Sequence, residues 1–215
     1  RGAEVVIVTV NDLLDRAVKT GPPSTLQAIE IVVMCTGNIC RSPMGEALLR
    51  ERLETGGVDA RVSSVGLLLD DRPADPHAID EMAERGLDIT AHRSRIIDGE
   101  MAEEIDLLIG MEQRHVREAV LLHADLFTRA YTLPDLVARA ESVGPRADRS
   151  MDEWLAELGE GRRRTDLFRQ DRRLEVADPI GKSKKAFHRT AEEISALIER
   201  FVVLAWSDEP ASGHH

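Results

Sequence analysis

The sequence predicts an α/β fold, in which parallel strands are buried by helices on both faces of a sheet. Short apolar runs of strand length alternate with segments of helical spacing along the chain. The order strand, loop, helix is clear around residues 31–53, where an apolar run gives way to a polar loop and then to helical periodicity. A length of 215 residues is enough for one well-buried domain.

Each element follows from a local pattern. The first strand, residues 31–34, is an unbroken apolar run that ends at Cys35. Pro43 stands where the next helix has its first turn, a position that tolerates proline because no helical N–H bond is lost there. Further strands are predicted at 61–65 and 106–110, and helices at 76–85 and 112–122. One apolar face predicts a long final helix, formed by Phe187, Ala191, Ile194, Ile198, Phe201 and Ala205.

Three stretches fall outside the central domain, which we place at residues 30–206. Residues 1–29 are predicted to be an N-terminal extension that ends in a turn-rich linker. Residues at about 138–173 are rich in charge and glycine around a short helix at 151–158, and we expect them to form a charged surface insertion. Residues 207–215 are interpreted as a tail or purification tag.

Composition narrows the class of protein. The formal net charge of −11 argues against nucleic-acid binding, and the apolar runs are too short for a membrane span, so neither partner is expected. The two cysteines, Cys35 and Cys40, cannot form a secreted disulfide framework. We therefore expect a cytoplasmic protein whose cysteines are reactive rather than structural. No metal or cofactor is expected.

The segment from Cys35 to Arg41 carries the chemistry. Arg41 offers a planar fork for two phosphate oxygens, and the residues between the two ends let backbone N–H groups turn toward one anion. Gly37 tolerates backbone torsions that are closed to other residues. Because the loop leads into a helix N-terminus, its partial positive charge favours both a bound phosphate and a Cys35 thiolate. The spacing predicts a nucleophile that attacks phosphorus.

A phosphoester leaving group also needs a proton. Asp178 is followed by Pro179 in a stiff turn before the last helix, and its carboxyl group is our candidate general acid and later base.

Residues 33–44, Val-Met-Cys-Thr-Gly-Asn-Ile-Cys-Arg-Ser-Pro-Met, together with Ala-Asp-Pro at 177–179, resemble the low-molecular-weight protein tyrosine phosphatases. The resemblance implies a three-layer fold with a four-stranded parallel sheet, helices on both faces and a phosphate loop after the first core strand. It implies that Cys35 is the nucleophile, Arg41 the phosphate clamp and Asp178 the general acid of a phosphoprotein phosphatase that works through a phosphocysteine. The implied phosphate-binding loop holds an inorganic phosphate or other oxyanion and consists of Thr36, Gly37, Asn38, Ile39, Cys40 and Arg41.

The resemblance also implies supporting residues. Together with Asn38, those that brace the loop are Ser42, Ser64 and His92. Plainer interpretations exist: Ser42 as a helix cap, Ser64 as a strand-end hydroxyl and His92 as a surface histidine. Cys40 matches a second loop cysteine that can pair with the first under oxidation.

The sequence departs from the family where many members carry aromatic residues that sandwich a phenyl ring. Ile180 and Leu67 or Leu68 occupy those places here. Relatives that prefer phosphoarginine usually carry Thr where this chain has Ile39, and an apolar side chain there would crowd a guanidinium and favour an aryl phosphate. Phosphotyrosine is thus the first hypothesis and protein-arginine phosphatase the alternative.

Two further hypotheses remain. An arsenate reductase of the thioredoxin-coupled type needs additional cysteines near the middle of the chain, and none follows Cys40. A non-catalytic phosphate-binding interaction module would need neither the nucleophile nor the acid that Cys35 and Asp178 supply.

Overall fold

Four strands form one parallel sheet in the structure, a computed structural model that describes residues 28–169 and 171–206. The spatial order is β2-β1-β3-β4, so after the edge strand β2 the chain crosses β1 and adds β3 and then β4 on its other side. The strands are β1 (Ile29–Met34), β2 (Ala60–Val65), β3 (Leu107–Gly110) and β4 (Ala130–Thr132). The predicted α/β fold with a four-stranded parallel sheet is confirmed.

Seven α-helices connect and cover these strands in the described residues. They are α1 (Arg41–Thr55), α2 (Pro76–Ala83), α3 (Gly99–Glu104), α4 (Gln113–Leu122), α5 (Leu133–Val143), α6 (Met151–Leu158) and α7 (Lys184–Trp206). Short 3₁₀ helices lie at Ala124–Thr128, Arg164–Phe168 and Arg172–Leu174.

The strand β1 shows why the fold has three layers. Successive side chains of a strand point to opposite faces of the sheet. Ile31 and Val33 accordingly belong to one hydrophobic cluster, whereas Val32 and Met34 belong to another on the opposite face. Both faces of β1 are therefore covered, which explains its unbroken apolar sequence.

The long helix α7 closes the larger cluster. It buries the apolar face predicted from its sequence, including Phe187, Ile194 and Phe201, against the central helix α1. Each fully buried large apolar side chain contributes about 1.5–3 kcal/mol relative to exposure. The helix therefore anchors the end of the domain and also fixes the loop that precedes it, where Asp178 lies.

The structure corrects one prediction and adds elements that the sequence analysis did not predict, among them the short helix α3. The segment at 138–173 is not simply a surface insertion, because Trp154, Leu155 and Leu158 of α6 are buried in the larger cluster. The first part of the same segment completes helix α5, which the sequence analysis did not predict. Strand β4 is also new; its three residues are too few to show a period. That the segment is an insertion relative to the family stays a prediction.

The predicted extension and tail lie mostly outside the described residues. Residues 1–27 and 207–215 belong to those segments, so the domain boundaries there stay predictions. Among the helices of residues 28–169 and 171–206, none combines the length and the apolar character that crossing a membrane requires.

Candidate active site

The loop of residues 35–40 joins β1 to α1 at the carboxyl end of the sheet. Its carbonyl oxygens are held from outside: Thr36 O accepts from Leu67 N–H at 2.8 Å, and Ile39 O accepts from Asp75 N–H at 2.7 Å. In the part of the chain that the structure describes, the N–H groups of residues 36–40 donate to no protein acceptor. Because the carbonyl groups are held away, these donors can serve one anion at the centre of the loop.

Asn38 is the brace of the loop. Its φ of 50° lies in the left-handed region, which asparagine tolerates better than most residues. The side-chain Nδ2 donates to Ser42 Oγ at 2.9 Å and to Ser64 Oγ at 2.8 Å, and Oδ1 accepts from Arg95 N–H at 2.9 Å. His92 Nε2 lies 2.7 Å from the Asn38 carbonyl oxygen. The three predicted supporting residues therefore all reach the loop, directly or through this side chain.

Two adjacent features tighten this arrangement. Gly66, directly after β2, lies very close to the loop of residues 35–40. A Cβ atom there would lie 2.9 Å from the Asn38 nitrogen and 3.0 Å from Thr36 O. Only glycine fits such an approach without displacing the loop. On the other side, Ser64 Oγ donates to Glu46 Oε2, which extends the network into α1.

The sulfur of Cys35 is buried and accepts a hydrogen bond of 3.0 Å from Ser42 Oγ. Ser42 therefore contacts the sulfur rather than capping α1, which has no side-chain cap. Cys40 is buried as well, and its burial raises the pKa of its thiol, with Asp75 adding to the effect. Cys40 consequently stays a thiol at neutral pH, which leaves Cys35 as the candidate nucleophile.

The guanidinium of Arg41 is buried and held by three acceptors. Nη1 donates to Glu112 Oε1 at 2.5 Å and to the Val176 carbonyl oxygen at 2.9 Å, while Nη2 donates to Asp178 Oδ2 at 2.8 Å. The Nε atom is buried with no partner among the described residues. A buried donor without an acceptor is costly, and an anion in the loop would satisfy it.

Asp178 lies where the last loop passes over the phosphate loop. The neighbouring Val176 N–H donates to Met111 O at 2.8 Å, which fixes this segment to the end of β3. The Asp178 Oδ1 atom accepts from Ile180 N–H at 3.1 Å, and the carboxyl group is about one-third exposed. Asp178 follows Cys35 by 143 positions in the sequence, and the fold brings both residues to the same cavity.

This cavity has a volume of about 180 Å³ and is lined by two charged residues and four large apolar side chains among its residues. Arg41 and Asp178 are the charged residues that line it, and the walls are Ile39, Leu68, Leu69 and Ile180. Of the two leucines considered for this place, Leu68 lines the cavity, whereas Leu67 packs against the core on the other face of the sheet. Leu69 is an additional wall that the sequence analysis missed.

Glu112 and His115 also escaped the sequence analysis. Glu112 joins Arg41 to Arg114, whose Nε donates to Glu112 Oε2 at 2.9 Å. His115 Nδ1 accepts from Glu112 N–H at 2.9 Å, so its proton is assigned to Nε2, which lies 3.1 Å from Thr36 Oγ1. Burial, together with the charges of Arg41 and Arg114, lowers the pKa of His115 to about 2. The sequence feature that could have identified Glu112 and His115 as site residues is their position directly after β3. The carboxyl end of β3 lies beside that of β1 in the sheet.

A family model described as low molecular weight phosphotyrosine protein phosphatase matches residues 30–144. The Escherichia coli K12 protein "Low molecular weight protein-tyrosine-phosphatase Etp" is 33% identical over 170 residues, which are 79% of this chain and 87% of the relative. The Bacillus subtilis 168 "Protein-arginine-phosphatase" is 31% identical over 173 residues, 80% of this chain and 93% of the relative.

A solved structure shares the fold. The low molecular weight protein tyrosine phosphatase from T. tengcongensis superposes with a TM-score of 0.61 at 25% identity, covering 81% of this chain and 98% of that one. The fold and the site define an α/β protein whose candidate anion-binding loop follows its first strand. The chain belongs to the low molecular weight protein tyrosine phosphatase family.

Proposed function

We propose that the protein hydrolyses phosphomonoesters of proteins, with phosphotyrosine as the preferred substrate, through a phosphocysteine intermediate. The observation that carries this proposal is the meeting of Cys35, Arg41 and Asp178 in one cavity. A nucleophile, a phosphate clamp and a carboxyl group are what a two-step transfer of a phosphoryl group needs. A binding module would need only the clamp.

Substrate binding uses the donors that the protein leaves open. The phosphate oxygens accept from the N–H groups of residues 36–40 and from Arg41 Nε. These donors are already fixed by the Asn38 network before a substrate arrives, so little reorganisation is needed. The Ser42 hydroxyl contributes a donor to the Cys35 sulfur and stabilises its negative charge.

The chemistry then proceeds in two displacements. The Cys35 sulfur forms a bond to phosphorus as the bond from phosphorus to the ester oxygen breaks, and Asp178 gives its proton to the departing oxygen. Water next attacks the phosphocysteine, gives a proton to Asp178 and releases phosphate as the sulfur–phosphorus bond breaks. Asp178 thus acts first as acid and then as base.

The preference for an aryl phosphate rests on the walls of the cavity. Ile39, Leu68 and Ile180 offer an apolar slot for a phenyl ring. A phosphoarginine would place a polar guanidinium against the same side chains and leave Asp178 as the single carboxylate in the lining to receive it. Tyrosine phosphate therefore fits the slot better.

Protein-arginine phosphatase activity is the second candidate. It is favoured by the 31% identity with the Bacillus subtilis relative, which covers 93% of that protein. The Ile39 side chain on the cavity wall is the feature that opposes it.

The test compares three compounds on one protein preparation: a small aryl phosphate, phosphoarginine and arsenate. We expect hydrolysis of the aryl phosphate that is lost in Cys35→Ser and retained at a measurable level in Cys40→Ser, its matched control. Equal or faster turnover of phosphoarginine would favour the second candidate. Reduction of arsenate would favour the reductase instead, and aryl phosphate turnover by Cys35→Ser would contradict the proposal.

The cytoplasmic location of the protein stays a prediction.

A further inference from the structure

A second cavity, of about 400 Å³, lies beside the phosphate loop and is lined mainly by arginine. We call it the arginine cavity. Its charged residues are Glu112, Arg114, Arg117, Arg169, Arg172 and Glu175. Four arginines and two glutamates give this small region a positive formal charge in a chain whose net charge is −11.

Two lining residues of the arginine cavity, Glu112 and Arg114, contact residues that line the active-site cavity. Glu112 binds Arg41 through one carboxylate oxygen and Arg114 through the other. Arg114 also donates to Thr36 Oγ1 in the phosphate loop. A group bound in the arginine cavity would consequently lie next to a phosphate held by the loop.

The cations of the cavity are only partly neutralised. Arg172 is exposed and forms no ion pair within residues 28–169 and 171–206. Arg169 has a single carboxylate partner, Asp166, at 3.6 Å, and Arg117 pairs with the neighbouring Glu118 at 3.1 Å. Positive charge is therefore available to an incoming anion.

Other arginines within residues 162–173 have structural roles. Arg162 donates to the carbonyl oxygens of Phe127 and Ala130, and its guanidinium lies 4.1 Å from the centre of the Tyr131 ring. Arg173 is paired with Asp171 at 2.7 Å. The charge available for binding is thus concentrated in Arg169 and Arg172, which face α4, rather than spread over residues 162–173.

We propose that the arginine cavity binds Asp or Glu side chains that flank the phosphorylated residue of the substrate protein, and so selects acidic phosphorylation sites. This inference rests on the proposed function, since it places the phosphorylated residue in the loop. Carboxylates are the natural partners of clustered guanidinium groups. A nucleic acid is disfavoured because the rest of the chain is strongly acidic and would repel an extended polyanion.

The experiment uses two phosphotyrosyl peptides of equal length, one with Asp and Glu around the target and one with Ser and Gln, and a small aryl phosphate without flanking groups. Arg169→Gln/Arg172→Gln is the test variant, because these two exposed arginines carry the charge available for binding. Arg61→Gln/Arg189→Gln removes the same charge from exposed positions outside the cavity and is its control.

We expect the wild type to prefer the acidic peptide by about three- to tenfold in kcat/KM, mainly through KM, because two exposed ion pairs each contribute modestly. The test variant should lose this preference, whereas the control should keep it. Turnover of the small aryl phosphate should be unchanged in both. High salt should reduce the preference of the wild type.

Equal loss of preference in both variants, or its persistence in the test variant, would overturn the proposal. Dissociation constants of the same peptides with the Cys35→Ser protein separate this inference from the proposed function. Absence of aryl phosphate turnover would refute the proposed function alone. The ratio of the dissociation constants of the acidic and the neutral peptide would still decide whether the cavity recognises acidic flanks. An unchanged ratio on replacing Arg169 and Arg172 contradicts that role.

Discussion

Glu112 binds Nη1 of Arg41 at 2.5 Å, and Asp178 binds Nη2 of the same guanidinium at 2.8 Å. The two carboxylates thus share one buried cation, whose Nε remains for the substrate. Arg41 is positioned by residues from two distant loops, one after β3 and one before α7. Arg41, the candidate phosphate clamp, and Asp178, the candidate acid, are therefore coupled through their ion pair.

Replacement of Glu112 by Gln should weaken this arrangement. The guanidinium loses a charged partner and pairs more strongly with Asp178, which would hinder both phosphate binding and proton transfer. We expect kcat/KM for a small aryl phosphate to fall about tenfold or more, and inorganic phosphate to inhibit less strongly. Steady-state kinetics measure both. Glu118→Gln on the same helix is the control, and equal effects from both variants would contradict a positioning role for Glu112.

The hydroxyl of Ser42 should matter for rate as well as for the bracing of the loop, in which it accepts from Asn38 Nδ2. Ser42→Ala removes the donor to Cys35 Sγ, and a hydrogen bond to a charged group contributes about 1.5–3 kcal/mol, so kcat should fall about 10- to 100-fold. Rates with an aryl phosphate test this. Ser63→Ala, in the adjoining strand, should stay near wild type. An unchanged kcat in Ser42→Ala would show that the contact is dispensable.

Gly66 is expected to be intolerant of even one methyl group. Gly66→Ala would push the Cβ atom against Asn38 and Thr36, at distances of 2.9 and 3.0 Å. Displacing the loop should cost about 1–3 kcal/mol of stability and lower activity. Gly99→Ala is matched, because a Cβ atom there meets nothing within 4 Å. Urea unfolding and kinetics on both variants give the answer, and a fully active Gly66→Ala enzyme would refute the argument.

His115 should contribute a pH dependence to stability. Its pKa is about 2 in the folded protein, against about 6.5 for an unperturbed histidine, so the unfolded state binds the proton as the pH falls below about 6.5. Stability contributed by neutral His115 is therefore present above that value and declines toward about pH 2. Between about pH 7.5 and about pH 5.5 the loss amounts to about 1 kcal/mol.

His115→Asn should be less stable at neutral pH, because it loses its bonds to Thr36 and Glu112, but should show a smaller decline on acidification. Urea unfolding at several pH values measures the difference. His123→Asn keeps His115 and should decline as the wild type does. A variant at 115 with an undiminished slope would show that another group is responsible.

The parts of the site that could be predicted from the sequence are those whose residues are neighbours along the chain. Cys35, Arg41 and the residues between them are contiguous, and their physical requirements can be judged from spacing alone. The partners of Arg41 at positions 112 and 176 depend on the strand order, which brings the ends of β1 and β3 together. Likewise, Leu68 and Leu69 rather than Leu67 line the cavity because of the loop's path after β2. Such details require the fold.

The decisive measurement is rapid quenching of the enzyme with an aryl phosphate, followed by peptide mapping to locate the phosphoryl group. The proposed mechanism predicts a transient phosphoryl group on the sulfur of Cys35, with none on Cys40 and none anywhere in Cys35→Ala. It also predicts that Asp178→Ala forms and hydrolyses this species more slowly. Rapid turnover without any phosphoryl group on Cys35, or with one on another residue, would contradict the central claim.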